Sequence, residues 1–163
     1  MSDPDMGHWF YQYDATGNLT YQKDAKLQET YFRYDDINRI RQKDYQTQKA
    51  LGSGDIRYTY DEAIYTNPIG RLTTQIDLSG TTNYRYDAMG QVTRTDKVVD
   101  SATYTTQSQY DPLGRTSRIT YNDSTAVDYT YDGNGNLYDI KTGSQPYVTY
   151  DQYNALAHPL HVT

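Results

Sequence analysis

The chain has no cysteine, which excludes disulfide staples and thiolate chemistry. It leaves the compartment open, because an exported protein need not carry disulfides. Phenylalanine occurs twice and tryptophan once, and aliphatic residues are too few for a thick Leu/Ile/Val core. No apolar run approaches the ~18 residues of a transmembrane helix, so no membrane insertion is expected, and no signal peptide is visible. No segment sustains a 3.6-residue period, which predicts almost no helix. Basic residues are outnumbered, 15 Lys+Arg against 21 Asp+Glu, with a net charge of −6. That balance argues against a sequence-independent grip on nucleic acid or anionic lipid.

What the chain has is tyrosine, 20 in 163 residues. A mean hydropathy of −0.95 with net negative charge could describe a disordered chain, but disordered segments are poor in aromatics. The expectation is an ordered β protein held by tyrosine packing and backbone ladders.

The tyrosines recur in a pattern. In Tyr129-Thr130-Tyr131-Asp132-Gly133-Asn134-Gly135-Asn136-Leu137, two rings lie on one face of a strand. Asp132 then favours a turn, Gly135 accepts a positive φ, and Leu137 restarts a strand. The same hairpin is written seven times, with Tyr13-Asp14 and Gly17, Tyr34-Asp35 and Asn38, Tyr60-Asp61 and Gly70, Tyr86-Asp87 and Gly90, Tyr110-Asp111 and Gly114, Tyr131-Asp132 and Gly135, and Tyr150-Asp151 and Asn154. Successive motif tyrosines are 21, 26, 26, 24, 21 and 19 residues apart. A period near twenty fits two short strands and two connections, and is too short for a propeller blade of ~40–50 residues. Asp, two free positions and Gly fit a type I turn closed by a left-handed residue.

One hairpin is unstable alone, so the repeats must stack. The fold class predicted is all-β, with antiparallel hairpin repeats stacked side by side into a curved, spiralling sheet of about fourteen strands. Both ends of such a sheet are open edges, ready to pair with other copies or with more of a longer chain. Residues 1–8 read as a leader or cut end, 9–156 as the repeat array and 157–163 as a C-terminal tail.

Tyr-x-Tyr-Asp-x-x-Gly-Arg/Asn-Leu at this period resembles the YD repeat of the Rhs family, which includes the C components of insecticidal toxin complexes and the teneurins. The resemblance runs from about Trp9 to Leu156. It implies a strip of sheet that spirals into a shell, and in bacterial members the shell encloses a toxic polypeptide. It also implies a secreted or cell-surface location within a delivered toxin or surface protein. Seven repeats are too few to enclose a protein. The family's Asp-Pro-x-Gly self-cleavage letters occur at Asp111-Pro112-Leu113-Gly114, but inside the fifth repeat, where a turn role is expected instead.

Other chemistry is weaker. Asp132-Gly133-Asn134-Gly135-Asn136 imitates the start of a calcium loop, yet Leu137 and Gly143 stand where that loop needs Gly and a bidentate Glu. A catalytic carboxylate pair needs two unlike environments, whereas these carboxylates recur identically; Glu29 and Glu62 alone break the pattern. His158 and His161 could present two imidazoles to a metal, although a frayed tail is the plainer reading. The expectation is therefore a structural element with no catalytic residues, metal or cofactor. The alternative is an extracellular carbohydrate-binding or adhesion module that stacks sugar rings on an exposed tyrosine row. Because Asn also forms the turn, Asp132→Asn is expected to be nearly neutral.

Overall fold

The computed structural model describes residues 7–163 and the backbone of residues 2–3. A short ladder pairs β1 (Ser2–Asp3) with β2 (Gly7–His8), and the rest of the expected leader lies outside the described residues. Fourteen strands follow: β3 (Phe10–Tyr13), β4 (Leu19–Lys23), β5 (Glu29–Tyr34), β6 (Ile40–Tyr45), β7 (Ile56–Tyr60), β8 (Leu72–Asp77), β9 (Gly80–Tyr86), β10 (Val92–Val99), β11 (Ala102–Tyr110), β12 (Thr116–Thr120), β13 (Ala126–Tyr131), β14 (Leu137–Thr142), β15 (Gln145–Tyr153) and β16 (Pro159–Val162). They form one open antiparallel sheet in chain order, with β3 and β16 at its edges, as the repeat predicts. No helix occurs among the described residues. The chain divides within β9 into two compact units, Met1–Asn83 and Tyr84–Thr163.

The repeated hairpin follows from its letters. In the first, the Gly17 amide donates to the Asp14 carbonyl at 3.1 Å, closing a four-residue turn. The Asp14 amide donates to the Asn18 carbonyl at 2.9 Å, closing the neck. Gly17 sits at φ 89°, where a side chain costs about 1–2 kcal/mol. The same pair of bonds recurs from Asp35, Asp87, Asp111, Asp132 and Asn154. It also closes Asp24–Gln28 and Tyr121–Thr125, where Leu27 and Ser124 take the left-handed position. These two turns carry no glycine, so the sequence pattern does not show them.

Every motif hairpin with a described register slips by one residue at its tyrosine. Gln12 pairs with Tyr21 but Tyr13 with Leu19, so Leu19 and Thr20 together face one residue. The same bulge lies at Tyr34, Tyr60, Tyr110, Tyr131 and Tyr153. A bulge bends its strand and re-aims the side chain beside it.

The seventh motif differs from the sequence reading. Tyr150 and Asp151 lie inside β15, and the turn begins three residues later at Asn154, with Ala157 at φ 57°. Asn154 accepts from the amides of Leu156 and His158 at 2.9 and 3.0 Å, as an aspartate would. Tyr153 is thus the motif tyrosine, and the spacing from Tyr131 becomes 22 rather than 19. β16 lies beyond the array boundary drawn at Leu156, within the stretch read as a tail.

Among the described residues no apolar side chain is fully buried in either unit. The buried ones are polar: in the first unit Thr30, Gln42, Asp44, Thr73, Thr74 and Thr82, and in the second Asp96. Residues directly opposed in a ladder share a face. In the second unit one face carries the row Tyr129–Ile140–Val148, and the other the row Gln109–Arg118–Asp128–Lys141. A tyrosine–aliphatic face is therefore backed by a charged one.

Candidate functional site

The feature that repeats in three dimensions is the row of motif turns along one side of each unit. In the first unit, the Tyr34 hydroxyl at the end of β5 donates to the Leu19 carbonyl at the start of β4, at 2.9 Å. Tyr60 does the same to Ile40 at 2.8 Å. In the second unit Tyr110 bonds Val92 and Tyr131 bonds Thr116, both at 2.8 Å, and Tyr153 bonds Leu137. Each acceptor is the first residue of the strand after a turn, and for Leu19, Ile40, Thr116 and Leu137 it sits at the bulge. Each hydroxyl thus ties one hairpin to the next. Phenylalanine has no hydroxyl to do this, which explains why these five positions are tyrosine. Tyr86 ends β9 in the equivalent position, and Tyr13, on edge strand β3, is exposed.

The aspartates hold the turns. Oδ1 of Asp132 accepts from the amides of Asn134 and Asn136 at 2.9 and 2.8 Å, and Oδ2 accepts from the Asn136 side chain at 3.0 Å. Asp111 receives the amides of Leu113 and Arg115 and the Arg115 Nε in the same way. Asp35 does so with Ile37 and Arg39, and Asp87 accepts the Gln91 amide. At Asn18, Arg39, Arg115 and Asn136 the residue after the left-handed position caps the second carboxylate oxygen with its side chain. Hydrogen bonds from the Thr16 and Asn18 side chains hold the Asp14 carboxyl down to about 2. The Asn136 side chain, then the turn amides, lower Asp132. The imitation calcium loop is thus an internally bonded turn.

The same capping residue reaches the next turn. In the first unit Asn18 Nδ2 lies 2.7 Å from Asn38 Oδ1, and an Arg39 nitrogen lies 2.7 Å from Asp61. In the second, Gln91 donates to the Gly114 carbonyl at 2.9 Å and Arg115 to the Gly135 carbonyl at 3.3 Å. Arg39 stacks over the Tyr60 ring at 4.2 Å and Arg115 over Tyr131 at 4.0 Å, each worth about 0.5–1 kcal/mol where exposed. Asp61 is itself left-handed and opens the longer third connection, which returns through the Gly70 amide onto the Asp61 carboxylate at 2.5 Å. Glu62 there accepts from Thr73 and Thr74 at 2.7 and 2.6 Å.

Further contacts come from residues outside the motif letters. Thr20, Thr73 and Thr93, each the second residue of its strand, donate to the carbonyls of Gln12, Thr59 and Arg85. The segment 46–55 folds onto the first unit's sheet, where buried Gln42 binds Asp44, the Ala50 carbonyl and the Gly52 amide. Gly54 is required there by close approach, since a Cβ would meet Gln42 Cγ at 2.3 Å. His161 Nδ1 lies 2.6 Å from Asp151, so the terminal histidine pairs with a carboxylate across β15 and β16.

Residues 71–159, more than half of the chain, match the family described as the teneurin YD-shell. The chain belongs to the teneurin YD-shell family. Among solved structures it is similar to a crystal structure of TcdB2-TccC3, with a TM-score of 0.81 at 17% identity. It is also similar to a structure of the Photorhabdus luminescens Tc holotoxin pore, at 0.75 and 16%. Each match covers 98% of this chain and 9% of the other, so this YD-shell chain spans about a tenth of their length. Among curated proteins none matches.

Proposed function

We propose that this YD-shell chain is a structural wall segment of an Rhs-type protein, acting at the cell surface or after secretion, and that the wall encapsulates or presents another polypeptide. The observation that carries this reading is the tyrosine-hydroxyl ladder, which devotes the motif residues to joining hairpins. Tyr34, Tyr60, Tyr110, Tyr131 and Tyr153 each give their hydroxyl to a backbone carbonyl. Arginine covers two of those rings, and the carboxylates of Asp35, Asp111 and Asp132 are engaged by their own turns, which favours a structural use of the row over a glycan platform or a catalytic pair. Exposed side chains at the turn tips, Ile37 and Ile69 in the first unit and Met89, Leu113 and Leu156 in the second, favour a side that is covered in a larger assembly. The edges at β3 and β16 supply the joints, to a longer Rhs-type chain or to other copies.

The test is protection of a passenger. The chain is concentrated with a fluorescently labelled unfolded polypeptide and challenged with protease, beside a panel of soluble glycans monitored by tyrosine fluorescence. Because seven repeats are too few to enclose a protein, protection is expected at the concentrations where copies associate, with no glycan response. Undiminished digestion together with a saturable glycan response would move the function to the carbohydrate-binding class.

A further inference from the structure

In the first unit, β4 and β5 place tyrosine directly opposite tyrosine, Tyr21 against Tyr31. The ring centroids are 5.0 Å apart with the planes tilted by 49°. Two residues along the same ladder, Lys23 faces Glu29 and pairs with it at 3.1 Å. The Tyr31 hydroxyl donates to Glu29 Oε2 at 2.7 Å, the distance expected between a phenol and a base positioned to take its proton. Both rings are half-buried, held by the ladder yet open to a small oxidant. This pair differs from the motif tyrosines, whose hydroxyls face neutral backbone carbonyls with no capacity to accept a proton.

We infer that Tyr21 and Tyr31 are an oxidative modification site, joined by a one-electron oxidant of the haem-peroxidase type into an intramolecular dityrosine. Each phenol gives one electron to the oxidant and one proton, Tyr31 through Glu29 to solvent. The two tyrosyl radicals combine through the ring carbons ortho to their oxygens, forming one C–C bond. The hydrogens on those carbons then move to the oxygens as the rings regain aromaticity. The net change is the loss of two hydrogens, with both electrons taken up by the oxidant. In a chain with no cysteine, the product is a covalent staple across β4 and β5 that reducing conditions do not open.

The experiment oxidises the dilute chain with photogenerated ruthenium(III) tris-bipyridyl, with persulfate as terminal electron acceptor, and reads dityrosine fluorescence, intact mass and the cross-linked peptide. The expected product is a monomer lighter by two hydrogens, whose single linkage joins the peptides carrying Tyr21 and Tyr31. That linkage is lost in Tyr21→Phe and in Tyr31→Phe. It forms several-fold more slowly in Glu29→Gln, which keeps both rings, and is unchanged in Tyr150→Phe, which removes one phenol from the Tyr150–Tyr153 ring pair elsewhere. The linked peptide is mapped in the unaltered chain, so the result stands even if one variant fails to fold. Linkages spread over other tyrosines at comparable yield, a yield unchanged in Tyr21→Phe, or purely intermolecular coupling would each overturn the inference.

Discussion

The hydroxyl of Tyr131 donates to the backbone carbonyl of Thr116 at 2.8 Å, joining the sixth motif hairpin to the fifth. A neutral hydrogen bond of this kind contributes about 0.5–1.5 kcal/mol net, and five of them amount to a large share of the ~5–15 kcal/mol that keeps a domain folded. Tyr131→Phe and Tyr110→Phe are each expected to cost about 1 kcal/mol in urea denaturation, because the ring stays and only the bond is lost. Ring packing alone would leave both variants as stable as the parent.

Glycine is needed for two different reasons at two kinds of position. At Gly17 the backbone is left-handed but the space around a Cβ is open, so Gly17→Ala is expected to cost about 1–2 kcal/mol of strain. At Gly54 the Cβ would press on Gln42 and Asp44, and overpacking adds about 1–3 kcal/mol and displaces segment 46–55. Limited proteolysis within that segment should rise in Gly54→Ala and stay unchanged in Gly17→Ala.

The turn carboxylates discriminate Asp from Asn more than turn propensity alone suggests. An asparagine at 132 keeps the amide bonds to one oxygen but turns an NH2 toward the Asn136 NH2. At 111 it faces the Arg115 guanidinium and gives up an ion pair as well. Asp132→Asn, nearly neutral on the sequence reading, is therefore expected to lower Tm modestly, and Asp111→Asn to lower it more. Calorimetry on both variants checks the order.

Acid should weaken the fold. Asp14, Asp35, Asp111, Asp128 and Asp132 all have carboxyl pKa values depressed below the unfolded value of 3.8. A depressed pKa stabilises the fold above the unfolded pKa, and that contribution is lost as pH falls through the folded one. With Asp14 at about 2, the loss runs from about pH 4 down to about pH 2. Tm measured across that range should fall steeply, and a flat profile would mean that the turn bonds contribute nothing.

Much of this fold is written locally. The Asp-to-Gly turn, its left-handed closing residue and the restarted strand are all set within nine residues, which is why the hairpins and their stacking can be read from the letters. Three things escape that reading. Leu27 and Ser124 accept strained backbone that their residue types do not advertise, so two turns are silent in the sequence. The last turn is displaced because Asn154 and Ala157 do the work of Asp and Gly, while Tyr150-Asp151 carries the motif letters inside a strand. The hydroxyl ladder joins different repeats through backbone carbonyls that every residue carries, and the Arg39 and Arg115 stacks join them through a tyrosine ring of the next repeat.

The central claim is that these hairpins form part of a wall, and native mass across concentration, by light scattering with size exclusion, tests it most directly. Association is expected to grow with concentration through β3 and β16 and to be abolished by Tyr11→Pro or Leu160→Pro, within the edge strands. A monomer at every concentration, unaltered by those substitutions, would contradict it.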